Sequence, residues 1–388
     1  MITLITNAEV YSPEYLGCKD VLLAAGKIVA IEEKLNFPDD FKMTRIDGSG
    51  FKLVPGFIDA HVHIAGAGGE GGPASRTPEL LLSDIIKAGV TTVIGCLGTD
   101  GITRSVESVL MKVKALRAEG VSAWMYTGAY QVPTPTITGD LARDITLIEE
   151  IIGVGEVAIS DHRSSGPTTD ELIRIAAHAR VAGMLGGCAG IVNLHMGDAH
   201  NPFDPIYQVV EKSELSFRQF LPTHINRNDY IFEDAKKYGL NGYVDITTSS
   251  YPYYMDEEIK PATAIRLLLE AGVPIEHITF TSDACGSLPG FDPITGELNS
   301  MHTGLPASNL LELKDAVQIE GLPLETALMV LTSNPAQILK LKTKGRIQEG
   351  KDADLLLLDK DLNISSVFAM GVMLMKNGSL LKKGNYER

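Results

Sequence analysis

The sequence predicts an α/β fold, a (β/α)8 TIM barrel flanked by strand-rich segments at both chain ends. Three observations lead there. Eight short apolar runs recur between residues 51 and 343, helical stretches separate them, and polar residues gather at the carboxyl ends of the runs. A barrel of this kind keeps its chemistry at those strand ends, and about 250 residues is its typical size.

The first 50 residues and those from 344 to 388 read as short strands between turns, as in "DVLLAAGKIVAIEE" and "DADLLLLD" followed by "VMLMKNGSLLKKG". The eight runs of the middle part are "LVPGFIDAHVH", "VTTVIGC", "SAWMYTGAY", "GEVAIS", "IVNLHMG", "FLPTHI", "VDITTS" and "ITFTSDA". Among the helical stretches are "PELLLSDIIKAG", "SVESVLMKVKALRAEG", "DELIRIAAHARVAG" and "PATAIRLLLEAG", each followed by or ending in a glycine suited to a helix stop. There is no internal repeat and no low-complexity linker. A doubly wound open sheet is the alternative architecture, although no Gly-rich phosphate loop follows the first run.

Composition narrows the function. The chain has 388 residues, 44% hydrophobic and 21% charged, enough for a large core in one big domain with an appendage or in two to three smaller ones. A formal net charge of -15 disfavours nucleic acid or an anionic membrane as the main partner, since both demand clustered Lys and Arg. The start "MITLITNAEVYS" lacks the pattern of a signal peptide, and no apolar run approaches a bilayer span, so the expected location is the cytoplasm. Cys18, Cys96, Cys188 and Cys285 form no CxxC pair, so they are expected to be reduced and structural.

Polar residues at the run ends carry the chemistry. His61 and His63 close the first run with a spacing that puts both imidazoles on one strand face. His195 ends the fifth, His224 the sixth and Asp283 the eighth, while Glu156 sits inside the apolar fourth. A lone HxH is more often structural than ligating, but four histidines and an aspartate at four strand ends need a common partner. Six N and O donors exceed the three protein ligands of one catalytic zinc and suit a pair of divalent ions. One ion would take His61, His63 and Asp283, the other His195 and His224, with Glu156 bridging. The competing reading of Glu156 is an ion pair with an arginine or lysine. His178, His200, His277 and His302 stand apart from this set, and His162 beside Arg163 is a neighbour to watch.

"PGFIDAHVH", the isolated His195 and His224, "TSDA" and the tail "GRIQEGKDADLLLLD" resemble the amidohydrolase superfamily of metal-dependent hydrolases. More narrowly, "GAGGEGGPASRTPE", "GVTTVIGCLGTD", "SAWMYTGAYQVP", "AISDHRSS", "PTHINRN" and "TSDACGS" resemble bacterial isoaspartyl dipeptidases over nearly the whole chain. The resemblance implies a barrel over 51–343 with a small β-sandwich assembled from 1–50 and 344–388. It also implies two Zn2+ ions, a homo-oligomer that in that family is often an octamer, and hydrolysis of β-aspartyl dipeptides. One departure stands out: the family's bridging ligand is a carbamylated lysine, and Glu156 occupies that position here.

A β-aspartyl dipeptide carries one ammonium and two carboxylates. By similarity Glu70 would take the ammonium and Arg163 and Arg227 the carboxylates, with Thr99, Ser287 and the backbone near Gly68 adding hydrogen bonds. Asp283 would move the proton and Tyr130 would stabilise the oxyanion. The same scaffold serves cyclic amide hydrolases of the dihydroorotase and hydantoinase type, which have little use for Glu70. A non-catalytic oligomeric scaffold is the reading outside enzymes.

Overall fold

Each of the eight apolar runs carries a parallel strand in the computed structural model, which describes residues 2–38, 40–292, 295 and 297–387. These strands are β1 (Phe57–Val62), β2 (Val90–Gly95), β3 (Ser122–Thr127), β4 (Ile151–Ile159), β5 (Ile191–Met196), β6 (Phe220–Thr223), β7 (Val244–Thr247) and β8 (Ile278–Thr281). The first six form one sheet in sequential order, and β7 pairs with β8. Backbone bonds link the two sheets, from Ile225 N to Asp245 O at 3.3 Å and from His63 N to Ala284 O at 2.9 Å. This order and the α/β content are those expected of a TIM-like barrel with an attached sheet domain. Parallel strands covered on both faces are apolar along their whole length rather than alternating, and all but two of the 45 residues in β1 to β8 are buried.

Helices fill the connections. They include α1 (Leu82–Lys87), α2 (Val106–Ala118), α3 (Leu141–Leu147), α4 (Thr169–Gly186), α5 (Asp204–Lys212), α6 (Asp229–Gly239) and α7 (Pro261–Glu270). In α4, Thr168 and Glu171 form a reciprocal capping box, and Gly187 at φ 69° ends the helix in the left-handed conformation. No helix among the described residues is long and apolar enough to cross a membrane.

Both chain ends join one nine-stranded sheet. Ile2–Tyr11, Tyr15–Ala24, Lys27–Glu32, Thr44–Asp47 and Lys52–Pro55 meet Leu355–Leu358, Ile364–Ala369, Val372–Lys376 and Ser379–Leu380. The junction is the antiparallel pairing of Lys52–Pro55 with Leu355–Leu358. Ile5, Val21, Ile28, Leu53, Leu355 and Phe368 form its apolar core.

Candidate metal centre and substrate cavity

A bulge sets the position of Glu156. Val154 pairs with Val192 and Val157 with Leu194, so Gly155 and Glu156 together stand opposite the single residue Asn193. The extra residue re-aims the strand's side chains. Gly155 is at φ 153°, and a Cβ there would lie 2.8 Å from both Asn193 O and Asn193 Cβ, so glycine fits this close approach.

Glu156, 1% exposed, thereby reaches four imidazoles. Its Oε2 lies 3.4 Å from His61 Nε2, 3.2 Å from His195 Nδ1 and 3.7 Å from His224 Nε2, and its Oε1 lies 3.3 Å from His63 Nε2. Burial alone would raise its pKa, but the surrounding rings, His61 foremost, hold the carboxyl well below the usual range. Its ion-pair partners are therefore histidines rather than the arginine or lysine of the competing reading.

Asp283 Oδ1 comes within 3.1 Å of His63 Nε2 and 3.7 Å of His61 Nε2, yet it is buried and makes no hydrogen bond. His224 at φ 66° and Asp283 at φ 51° both hold left-handed backbone conformations just past their strands, a strain that accumulates at functional sites. Residues behind the rings fix their orientation: Asn193 Oδ1 lies 3.0 Å from His61 Nδ1 and Thr247 Oγ1 2.6 Å from His224 Nδ1. Burial pushes the His224 imidazole down to about 3, whereas His61 and His63, despite their burial, are raised well above the ordinary value by Cys96 and the carboxylates beside them. Two donor clusters result, His61 with His63, Cys96 and Glu156, and Glu156 with His195 and His224. An orphaned buried carboxylate oxygen and this set of N and O donors fit divalent metal ions.

Next to this centre opens a cavity of about 300 Å3, at the small end of the range for ligand sites. Glu70, Thr99, Tyr130, Arg163, Arg227 and Ser287 line it. Thr99 Oγ1 donates to Glu70 Oε1 at 2.9 Å, whereas Glu70 Oε2 is buried without a partner. The Tyr130 hydroxyl lies 2.7 Å from His195 Nδ1, and burial holds its pKa well above the ordinary phenol value. Gly68 is placed differently from the other expected residues. It pairs with Arg76 in an antiparallel bridge, and its neighbours Ala67 and Glu70 provide the lining. His162 has a largely exposed side chain at the cavity mouth.

Among the residues at the site that the sequence reading does not assign to it are Asp161 and Cys96. Asp161, with a side chain 1% exposed, holds Arg163 and touches His195. The "DHR" of "AISDHRSS" is the only signal that could have found it. Cys96 packs against His61 and His63, although no CxxC spacing marks it.

Comparison with known proteins accords with this geometry. The structure of the β-aspartyl dipeptidase from the thermophilic keratin degrader Fervidobacterium islandicum AW-1, in complex with the β-Asp-Leu dipeptide, matches with a TM-score of 0.92. The two chains are 43% identical, with 100% of each covered. The amidohydrolase family model matches residues 223–380. The chain belongs to the amidohydrolase family.

Other relatives are more distant. Adenine deaminase 2 of Oenococcus oeni is 24% identical over 387 residues, and this chain, with 96% of its length aligned, spans only 59% of that protein. A dihydroorotase of Elusimicrobium minutum is 24% identical over 408 residues, covering 92% of this chain and 88% of the relative.

Proposed function

We propose that this amidohydrolase hydrolyses the isopeptide bond of β-aspartyl dipeptides, releasing aspartate and a second amino acid. The observation that carries the reading is that, in a cavity also lined by Asp198, Glu257 and Glu258, one carboxylate with an unpartnered buried oxygen, Glu70, stands with two guanidiniums, Arg163 and Arg227. That is the complement of a dipeptide with one ammonium and two carboxylates. The 43% identity to a protein bound to β-Asp-Leu supports the same substrate class.

His61, His63 and Asp283 would hold one zinc ion, His195 and His224 the other, and Glu156 would bridge them. When bound, the ions supply Lewis acidity and a water acidic enough to ionise near neutral pH. Asp283 accepts the proton of the attacking water and passes it to the leaving amine as the carbon–nitrogen bond breaks. The Tyr130 hydroxyl, protonated at all working pH values, donates to the oxyanion of the tetrahedral intermediate. Thr99 fixes Glu70 for the ammonium, and Ser287 adds a hydrogen bond at the cavity wall.

The architecture that goes with this reading is a closed barrel over 51–343, with 1–50 and 344–388 as the appended β domain. The working form is a cytoplasmic homo-oligomer. Turnover of β-Asp-Leu beside α-Asp-Leu and dihydroorotate tests the function. Cleavage of β-Asp-Leu alone is the expected result, and cleavage of dihydroorotate alone would overturn the reading in favour of a cyclic amide hydrolase.

A further inference from the structure

Cys96 directly follows β2, the strand beside β1, so its side chain meets the His61 and His63 pair from the flank. It is fully buried, with Sγ 3.6 Å from His61 Nε2 and 3.8 Å from His63 Nδ1. Val62 O also lies 3.6 Å from the sulfur, a weak acceptor for a thiol. One donor atom each from His61, His63, Cys96 and Glu156 falls in a group whose members all lie within 4.8 Å of one another. Independently, the unpartnered Asp283 Oδ1 is buried and aimed at the same two rings.

The spacing of these donors is informative. Bond lengths of about 2.3 Å to sulfur and about 2.0–2.1 Å to nitrogen or oxygen give a tetrahedron with an S···N edge of about 3.6 Å and N···O edges of about 3.3 Å. Two edges that share the vertex His61 Nε2 can be compared with these: 3.6 Å to Cys96 Sγ and 3.4 Å to Glu156 Oε2.

We propose that Cys96 is a thiolate ligand of the metal ion held by His61 and His63. The assignment rests on the binuclear metal reading above and adds a soft donor to it. Ligation replaces the S–H bond with an S–metal bond and releases the proton to solvent. A thiolate biases that position toward zinc or cobalt and away from magnesium or manganese, which prefer oxygen. The other position has no sulfur donor in its cluster, so the two ions should differ in how tightly they are held.

Cobalt(II) reconstitution of the metal-depleted full-length protein tests this without reference to turnover. Bound cobalt gives visible ligand-field bands whatever its donors, whereas a near-ultraviolet thiolate-to-cobalt charge-transfer band requires a sulfur ligand. The band is expected in the native sequence and in Cys285→Ala, and is expected to vanish in Cys96→Ala. Cys96→Ala should also release one of its zinc ions at a chelator concentration at least about tenfold lower. Cobalt uptake without the charge-transfer band in the native sequence overturns the assignment and leaves the metal centre standing. A band that persists in Cys96→Ala overturns it equally. Failure to take up cobalt at all would overturn the metal reading itself, and Cys96 with it.

Discussion

Asp161 and Arg163 form a two-point ion pair at the cavity wall, with Nε donating to Oδ1 at 3.0 Å and Nη2 donating to Oδ2 at 2.8 Å. The same Oδ2 lies 3.0 Å from His195 Nε2 and 3.7 Å from Arg227 Nη1. Burial pushes this carboxyl's pKa up, but His195 and Arg163 outweigh it and keep the group ionised. One carboxylate therefore aims both arginines proposed for the substrate. Asp161→Asn should raise KM for β-Asp-Leu by about tenfold or more, the scale of one charged hydrogen bond, with a smaller change in kcat. Steady-state kinetics beside zinc analysis measures this, and an unchanged KM at full zinc content would remove Asp161 from substrate positioning.

Glu70 lies at the other end of the charge set, with Oε1 held by Thr99 and 3.7 Å from Arg163 Nη1. Glu70→Gln keeps the shape and deletes the charge. It should lower kcat/KM for β-Asp-Xaa by about tenfold to a hundredfold while zinc content stays at the native level. Loss of metal in this variant would show that Glu70 serves the metal centre rather than the ammonium.

Much of the fold and of the candidate donor cluster is legible in the sequence because polar residues stand out inside apolar runs. His195 in "NLHMG" and Glu156 in "VGEVAI" need no partner to be noticed. What escapes reading depends on neighbouring strands. Asn193 behind His61 and Thr247 behind His224 join residues 132 and 23 positions apart. The bulge at Gly155 and Glu156 exists only relative to Asn193, and Cys96 acquires its histidine neighbours only when β2 lies beside β1. Likewise the pairing of Lys52–Pro55 with Leu355–Leu358 follows from sheet order, which strand propensity does not encode.

Asp283 combines an unpartnered Oδ1 with a left-handed backbone at φ 51°. Asp283→Asn retains an oxygen donor but cannot take the proton. Its kcat should fall by at least about a hundredfold, the usual contribution of general acid–base catalysis, while KM changes little. A variant that keeps both zinc ions and near-native turnover would sink the proton-transfer role.

Glu312, which belongs neither to the candidate metal cluster nor to the cavity lining, gives a separate pH dependence. Its Oε2 accepts from Ala262 N at 3.0 Å, and burial raises its pKa from 4.5 to about 7. A folded-state pKa above the unfolded one means that the folded chain binds more protons between pH 4.5 and 7. Stability therefore declines as pH rises through that window, by up to about 3 kcal/mol for this group. Glu312→Gln keeps the acceptor and cannot ionise. Its Tm should exceed that of the native sequence above pH 7 and converge with it near pH 5, and a constant difference across that range would refute the assignment.

Glu156 supplies the last expected outcome. A lysine bridges two metals only after CO2 turns its amine into a carbamate, whereas a glutamate brings two oxygens already. Here those oxygens divide between the rings, Oε1 toward His63 at 3.3 Å and Oε2 toward His195 at 3.2 Å and His224 at 3.7 Å. The bulge that inserts Gly155 aims the shorter side chain among them. Zinc reconstitution of the metal-depleted protein should therefore give the same activity with bicarbonate present or scrubbed away. Glu156→Ala should retain one zinc ion tightly and lose or loosely hold the other, because two cations about 3.5–4 Å apart would lack the anion that offsets their repulsion. Metal analysis after dialysis, with and without bicarbonate, reads both effects. A bicarbonate requirement, or two firmly bound zinc ions with full turnover in Glu156→Ala, would show that the carboxylate among the four histidines is not the bridge.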